Sequence, residues 1–463
     1  MLSSAAAPKL AFRILSGQQR YFLYDLPILW QDSTHATWQH DVKRRLFLRQ
    51  SVGAAACAVS ASVLGIPNVT LAAKQDAARL LGLKITDIRT FVMDAGGDEN
   101  YVFVKIYTNE GLTGLGEATL PSKALTISQA ILEHKRYLVG QDPTEIERHW
   151  QAMFRGPRYR GGPIMMSAIS AIDIALWDIF GKALELPVWQ LLGGKARDRV
   201  RVYPKPGWGN SPDEMGELWL AAKEKGWTAG KSGFYKPEGD VMRQDKALTD
   251  SVARVRAIRA AVGDDFDICI DLHGKPTTAF AVEFCRQVED YRPYFVEEAT
   301  QAEDLGELRH LRTHTRVPLA TGERLFTKYA FGEICAEHLV DYVQPDAIHC
   351  GGITEMRKIA AIADTFRIEV LPHNPNSRVC TFASLHFCAA TPNATLLEIS
   401  GSERDKWDDL FFGAAVEYRN GFAELPNKPG LGIDLDESVA ARSPYKEKDW
   451  HGPRFEDGAI ADR

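Results

Sequence analysis

Apolar and polar positions along this chain change rhythm three times, and each rhythm predicts a different kind of structure. From Ser51 to Ala73 there is no charged residue, and Ala, Ser, Val and Gly dominate without a sustained period. From Lys84 the pattern alternates: Lys84 to Val92 and Tyr101 to Thr108 read as strands, the second placing Val102, Val104 and Ile106 on one face. Asn109-Glu110-Gly111 reads as a turn, and Leu112 to Glu117 returns as a short strand. Helical periods follow over Ala124 to Val139, Pro143 to Phe154 and the strongly apolar Ile164 to Ala183. Strands followed by helices predict an α+β module.

Beyond Val200 short apolar runs and helical segments take turns. The predicted strands are Val200–Tyr203, Ala229–Gly233, Ile268–Asp271, Tyr294–Glu297, Pro318–Glu323, Tyr342–Asp346, Glu369–His373 and Leu396–Ile399. Eight strands joined by helical crossovers predict a closed parallel α/β barrel. An open doubly wound sheet is the competing topology, but no Gly-x-Gly-x-x-Gly follows the first strand.

The uncharged stretch is preceded by Lys43-Arg44-Arg45-Leu46-Phe47-Leu48-Arg49, which reads as a twin-arginine export signal, and ends in Thr70-Leu71-Ala72-Ala73, a small-residue cleavage region. Export of the folded protein to the periplasm is the expectation, with the cytoplasm as the location if the signal does not function. A membrane anchor is the competing reading, weakened by Gly53, Gly65 and Pro67, and no stable membrane insertion is expected once the signal is removed. Because the paired arginines sit so far from Met1, translation starting near Val42 is a further expectation.

Composition narrows the function. The 463 residues are 45% hydrophobic and 25% charged with a formal net charge of −6, and no basic run alternates with aromatics, which argues against a nucleic-acid partner. An anionic substrate would need a local positive charge such as a bound cation. Seven cysteines (57, 269, 285, 335, 350, 380 and 388) form neither a CxxC pair nor a zinc spacing.

Chemistry in parallel barrels gathers where strands end. Asp271, Glu297 and Glu323 end the third, fourth and fifth predicted barrel strands, each 26 residues after the last. Three carboxylates aimed at one spot would repel one another unless neutralised, and hard oxygen donors in that number suit Mg²⁺. His273 follows Asp271 by two residues, which on an extended strand puts both on one face. His373 ends the seventh strand and Asp346 the sixth, a carboxylate–imidazole pair suited to a general base. Lys231 ends the second strand as a residue that either contacts substrate or is solvated. Glu398, near the end of the eighth, is a substrate-binding candidate or a core-edge carboxylate. Glu298 faces away from Glu297 as an inter-strand partner, and His349, three residues past Asp346, reads as a loop or helix-start residue.

These residues, with Gly140-Gln141-Asp142-Pro143, Tyr159 to Asp178, Val188 to Gly194, Gly351-Gly352-Ile353-Thr354, Pro372-His373 and Lys428-Pro429-Gly430-Leu431-Gly432, resemble the mandelate racemase branch of the enolase superfamily, most closely the D-galactonate dehydratase-like family. The resemblance runs from Lys84 to about Asp436. It implies a modified TIM barrel, (β/α)7β, over 196–410, an α+β cap over 84–195 completed by the C-terminal segment 411–463, and an N-terminal extension over 1–83. It implies Mg²⁺ held by Asp271, Glu297 and Glu323, His373 with Asp346 as the base, and His273 as the acid. The implied reaction is dehydration of a small-molecule sugar acid to a 2-keto-3-deoxy acid by a homo-oligomer. Lys231-Ser232-Gly233 leaves the two-lysine pattern of racemases incomplete, favouring dehydration over racemisation. The loop from Asp94 to Asn100 is expected to face the site and bear on specificity. Epimerisation or cycloisomerisation on the same scaffold, and a non-catalytic starvation-sensing binding protein, are the competing functions.

Overall fold

The computed structural model describes residues 82–97, 99–237, 241–400, 409–413, 415–448 and 452–462. The expected export signal, its cleavage region and Cys57 lie outside them.

The cap begins with an antiparallel sheet of β1 (Ile85–Gly96), β2 (Glu99–Thr108) and β3 (Thr113–Glu117) in that order. Val102, Val104 and Ile106 pack against Ile127, Ile131, Ile169, Ile172 and Leu176 of the helices Ala124–Leu138 and Pro163–Ala183. The latter helix is long and apolar enough to cross a membrane, but it is largely buried in the cap. Strand β3 rides directly on it: a Cβ on Gly116 would stand 2.0 Å from the Ala171 carbonyl oxygen, and one on Gly114 2.0 Å from that of Ala175. Only glycine permits that approach.

The second body is a ring of eight parallel strands: β4 (Arg199–Tyr203), β5 (Ala229–Gly233), β6 (Asp267–Asp271), β7 (Phe295–Glu297), β8 (Leu319–Thr321), β9 (Tyr342–Val343), β10 (Glu369–Val370) and β11 (Leu397–Glu398). Strands β5 to β10 are consecutive neighbours and β11 pairs with β4. A bridge between Val370 and Ala394 and a bond from Lys231 N–H to the Pro204 carbonyl close the circle. Tyr203, Ala229, Cys269, Phe295, Ala320, Leu371 and Leu396 fill the interior. Alternate residues such as Val202, Ile268, Ile270, Val296 and Leu319 face the surrounding helices.

Several strands are shorter than the apolar runs predicted. Strands β9 and β10 stop before Pro345 and Pro372, which have no N–H to give a ladder, and β8 stops at Gly322, whose φ is 144°. Pairing resumes for one step between Asp346 and His373.

The C-terminal segment returns to the cap. Phe411–Gly413 pairs with Ile433–Leu435, Met93 bridges to Pro444, Lys105 meets Asp434 and Glu437, and Lys448 meets Asp94.

Candidate active site

The period of two that fills the barrel also loads its mouth. Two residues above Ala229, Cys269 and Phe295 come Lys231, Asp271 and Glu297, so the side chains over the apolar plug are one cation and two anions. Glu323 joins from just past β8, and one oxygen from each of Asp271, Glu297 and Glu323 lies within 4.8 Å of the others.

Lys231 is 1% exposed. Its Nζ lies 2.8 and 2.9 Å from the two Glu297 oxygens, 2.9 Å from Glu398 Oε2 and 3.8 Å from Asp271 Oδ2. It is thus not solvated, a correction to that reading of this residue. A lysine this deep keeps its proton because carboxylates surround it: burial alone would lower its pKa, but Glu297 and Glu398 raise it well above the ordinary value. Glu398 is fully buried as well, held by Lys231 and by Lys205 at 3.2 Å. It is a partner for cations beneath the mouth. Burial pushes Glu297 well up, with Asp271, Glu323 and Glu398 adding to the push and Lys231 opposing it. Anions crowded in this way suit a cation held among them.

An imidazole stands at each end of the carboxylate row. His373 Nε2 lies 3.0 Å from Glu323 and its Nδ1 2.8 Å from Asp346 Oδ2. Burial would lower the pKa of His373, but Glu323 and Asp346 raise it well above the usual imidazole value. The same contact acts in reverse: burial would raise Glu323, and His373 holds it well below the carboxylate range. Asp346 is fixed in turn by the Ile348 N–H at 2.8 Å, Asn376 Nδ2 at 3.4 Å and the Cys380 thiol at 3.7 Å.

His273 Nε2 lies 3.1 Å from Asp271 Oδ2. The route differs from the one expected. The strand ends at Asp271, and His273 has φ 55°, so the two do not share a face of an extended strand. Instead the backbone turns back: His273 N–H donates to Asp271 Oδ1 at 2.7 Å and Gly274 N–H to the Glu298 carbonyl at 2.6 Å. Asp271 favours the charged form of His273, but desolvation and the cations Lys275 and Lys231 leave it below its ordinary value. Glu298, also at positive φ, joins strands as expected, accepting from Thr321, the Gly322 N–H and Arg324.

A cavity of about 710 Å³ opens beside Glu323 and His373 between barrel and cap, lined also by Glu99, Lys123, Arg324 and His349. Glu99 belongs to the cap loop expected to face the site. His349, read from the sequence as a loop or helix-start residue, lies on the tight turn leaving the sixth strand and lines this cavity. One residue escaped the sequence reading. Lys205 lies two residues past the end of β4, where the strand-end rule applied to its neighbours would have found it.

Two family models cover most of the described chain: the mandelate racemase / muconate lactonizing enzyme N-terminal domain over residues 86–193, and the enolase C-terminal domain-like model over 214–439. D-galactonate dehydratases of Ralstonia pickettii and Ralstonia nicotianae are each 37% identical over 391 residues, covering 82% of this chain and 100% of theirs. A crystal structure of an enolase from Pantoea ananatis with bound D-gluconate and Mg superposes with a TM-score of 0.76 at 29% identity, covering 82% of this chain and 100% of that one. An enolase-superfamily member from Salmonella Typhimurium gives 0.73 at 29% identity over 78% and 98%.

Proposed function

This chain belongs to the mandelate racemase/muconate lactonizing branch of the enolase superfamily as a dehydratase, and from that premise we propose that it removes water from an aldonate-type sugar acid to yield a 2-keto-3-deoxy acid. The observation that carries this reading is the pair of imidazoles at opposite ends of one carboxylate row, His273 against Asp271 and His373 against Glu323. An elimination needs a base for one proton and an acid for a poor leaving group, and one row serves both.

Asp271, Glu297 and Glu323 are the residues that would hold the cation, and three crowded oxygen donors suit Mg²⁺. Bound there, Mg²⁺ would supply positive charge to the substrate carboxylate and to the enediolate that develops from it. His373 takes the proton α to that carboxylate. Asp346, bonded to Nδ1, fixes the tautomer so that Nε2 is the atom that receives it, and favours the imidazolium that results. His273, held against Asp271, delivers a proton to the departing 3-hydroxyl. Lys231 stays beneath them as a fixed charge. Periplasmic location by the twin-arginine route and a homo-oligomeric assembly complete the proposal, on sequence grounds.

The test is a panel of acid sugars with Mg²⁺, read for 2-keto-3-deoxy product and for exchange of the α-proton with deuterated water. His373→Asn should abolish both, by about 10²–10⁴-fold. His273→Asn should lose dehydration by a similar factor while exchange persists. Full activity in both variants, or exchange without dehydration in the wild type, overturns the assignment.

A further inference from the structure

A third imidazole reaches the cavity, and its hydrogen bonds determine which ring nitrogen carries the proton. His349 is 7% exposed and lies on the turn between β9 and the helix Gly352–Thr365, its N–H bonded to the Asp346 carbonyl at 3.1 Å. Its Nδ1 is 2.8 Å from Ser167 Oγ, on the first turns of the cap helix Pro163–Ala183. That hydroxyl is also 2.5 Å from the Pro163 carbonyl oxygen. A carbonyl can only accept, so the single hydroxyl proton goes to Pro163, and Ser167 Oγ is left to accept from His349. Nδ1 therefore carries the hydrogen. Burial holds the pKa of His349 below its usual value, which favours the neutral ring. A neutral ring protonated at Nδ1 has its lone pair at Nε2, and the residue is one of those that line the cavity.

We propose that His349 is a specificity-determining residue whose Nε2 accepts a hydrogen bond from a substrate hydroxyl beyond the reacting carbons. This rests on the sugar-acid reading above and deepens it. An acceptor in a partly dry wall favours a ligand that presents O–H there and repels one that presents only lone pairs, such as the second carboxylate of a diacid. The site thereby selects a polyol tail. Because Ser167 belongs to the cap and His349 to the barrel, the acceptor exists only when the two bodies are docked. A cap residue that never touches substrate sets the tautomer that does.

The tautomer can be read first, by ¹⁵N chemical shifts of the histidines in the full chain without ligand. His349 should be protonated at Nδ1 alone at pH 7; protonation at Nε2, or an imidazolium, overturns the proposal whatever the protein catalyses. Binding is then measured by calorimetry with Mg²⁺ present, using D-galactonate, D-gluconate, their single-deoxy analogues at C4, C5 and C6, and galactarate. His349→Asn keeps an amide N–H toward Ser167 but withdraws the acceptor. It should weaken the best-bound acid by about tenfold. One deoxy analogue should bind variant and wild type equally, and galactarate should lose its handicap. Ser167→Ala leaves the ring in place but frees its tautomer, and should show the same pattern at roughly threefold. An equal loss across every analogue, or none, overturns the assignment. A wild type that binds these acids without releasing water counts against the dehydratase reading instead, and the binding comparison still decides His349.

Discussion

Two sets of buried carboxylates in this molecule are treated in opposite ways. In the seam between cap and barrel, Glu117 accepts from the N–H groups of Ser377 and Cys380 and from the hydroxyls of Ser377 and Thr119. Asp178 takes the N–H groups of Leu115 and Leu431 together with Lys182, and Asp173 takes that of Thr354. Each is apart from other carboxylates and accepts backbone N–H groups, two of them near the first turns of the helices Arg378–Ala390 and Gly352–Thr365. At the barrel mouth, Asp271, Glu297 and Glu323 instead face one another, and only Asp271 accepts a backbone N–H. Anions given amides hold two bodies together, whereas anions given each other hold a place for a cation. Glu117 shows how near the two sets run. It caps the helix whose first residues also carry Cys380 to Asp346, so one end of the seam supports the base.

The sharpest way to break this comparison is to remove one charge from the mouth. Asp271→Asn leaves Lys231 paired with Glu297 and Glu398, and should lower turnover by about three orders of magnitude. In chelator its unfolding temperature should match or exceed that of the wild type, because a repulsion has gone. Added Mg²⁺ should raise the wild type's unfolding temperature and leave the variant's nearly unchanged. A wild type indifferent to divalent ions would end the distinction between the two sets.

A seam carboxylate should answer to pH rather than to metal. Burial raises Asp173 from an ordinary 3.8 to about 7. The folded value lies above the unfolded one, so the native state binds the extra proton. The stability from that proton is full below about 4, falls as pH rises, and is gone above about 7. Urea unfolding of Asp173→Asn against wild type from pH 4.5 to 8 should show the balance moving toward the variant by about 3 kcal/mol. A difference independent of pH would mean that Asp173 remains charged throughout.

The smallest expected effect tests the packing that brings the seam together. Gly116→Ala drives a methyl into the Ala171 carbonyl and should cost about 1–3 kcal/mol in urea unfolding. A cost near zero would mean that β3 is free to lift from the helix beneath it.

Much of this architecture can be read without coordinates. The alternation that puts Val102, Val104 and Ile106 on one face and the 26-residue spacing of Asp271, Glu297 and Glu323 are local facts, and strand and βα periods carry them directly into space. Asp346 and His373 are found the same way, since neighbouring parallel strands set their ends side by side. Where the backbone leaves its regular period, spacing misleads. His273 reaches Asp271 through a residue at φ 55° rather than along a strand, and Pro345 and Pro372 cut short the strands that the apolar runs suggested.

What only the tertiary structure decided is which group answers each charge. Lys231 is one strand-end lysine by its sequence; Glu297 and Asp271 reach it from the strands that follow β5, and Glu398 only because the ring closes with β11 beside β4. Glu117 meets Ser377 across 260 residues, and Ser167 meets His349 across 182, both through the docking of cap on barrel. Residue order determines periodicity, and so the face on which a side chain emerges. Hydrogen bonds and pKa values depend on distances of a few ångströms between segments far apart in the chain, and those come into being only when the bodies pack.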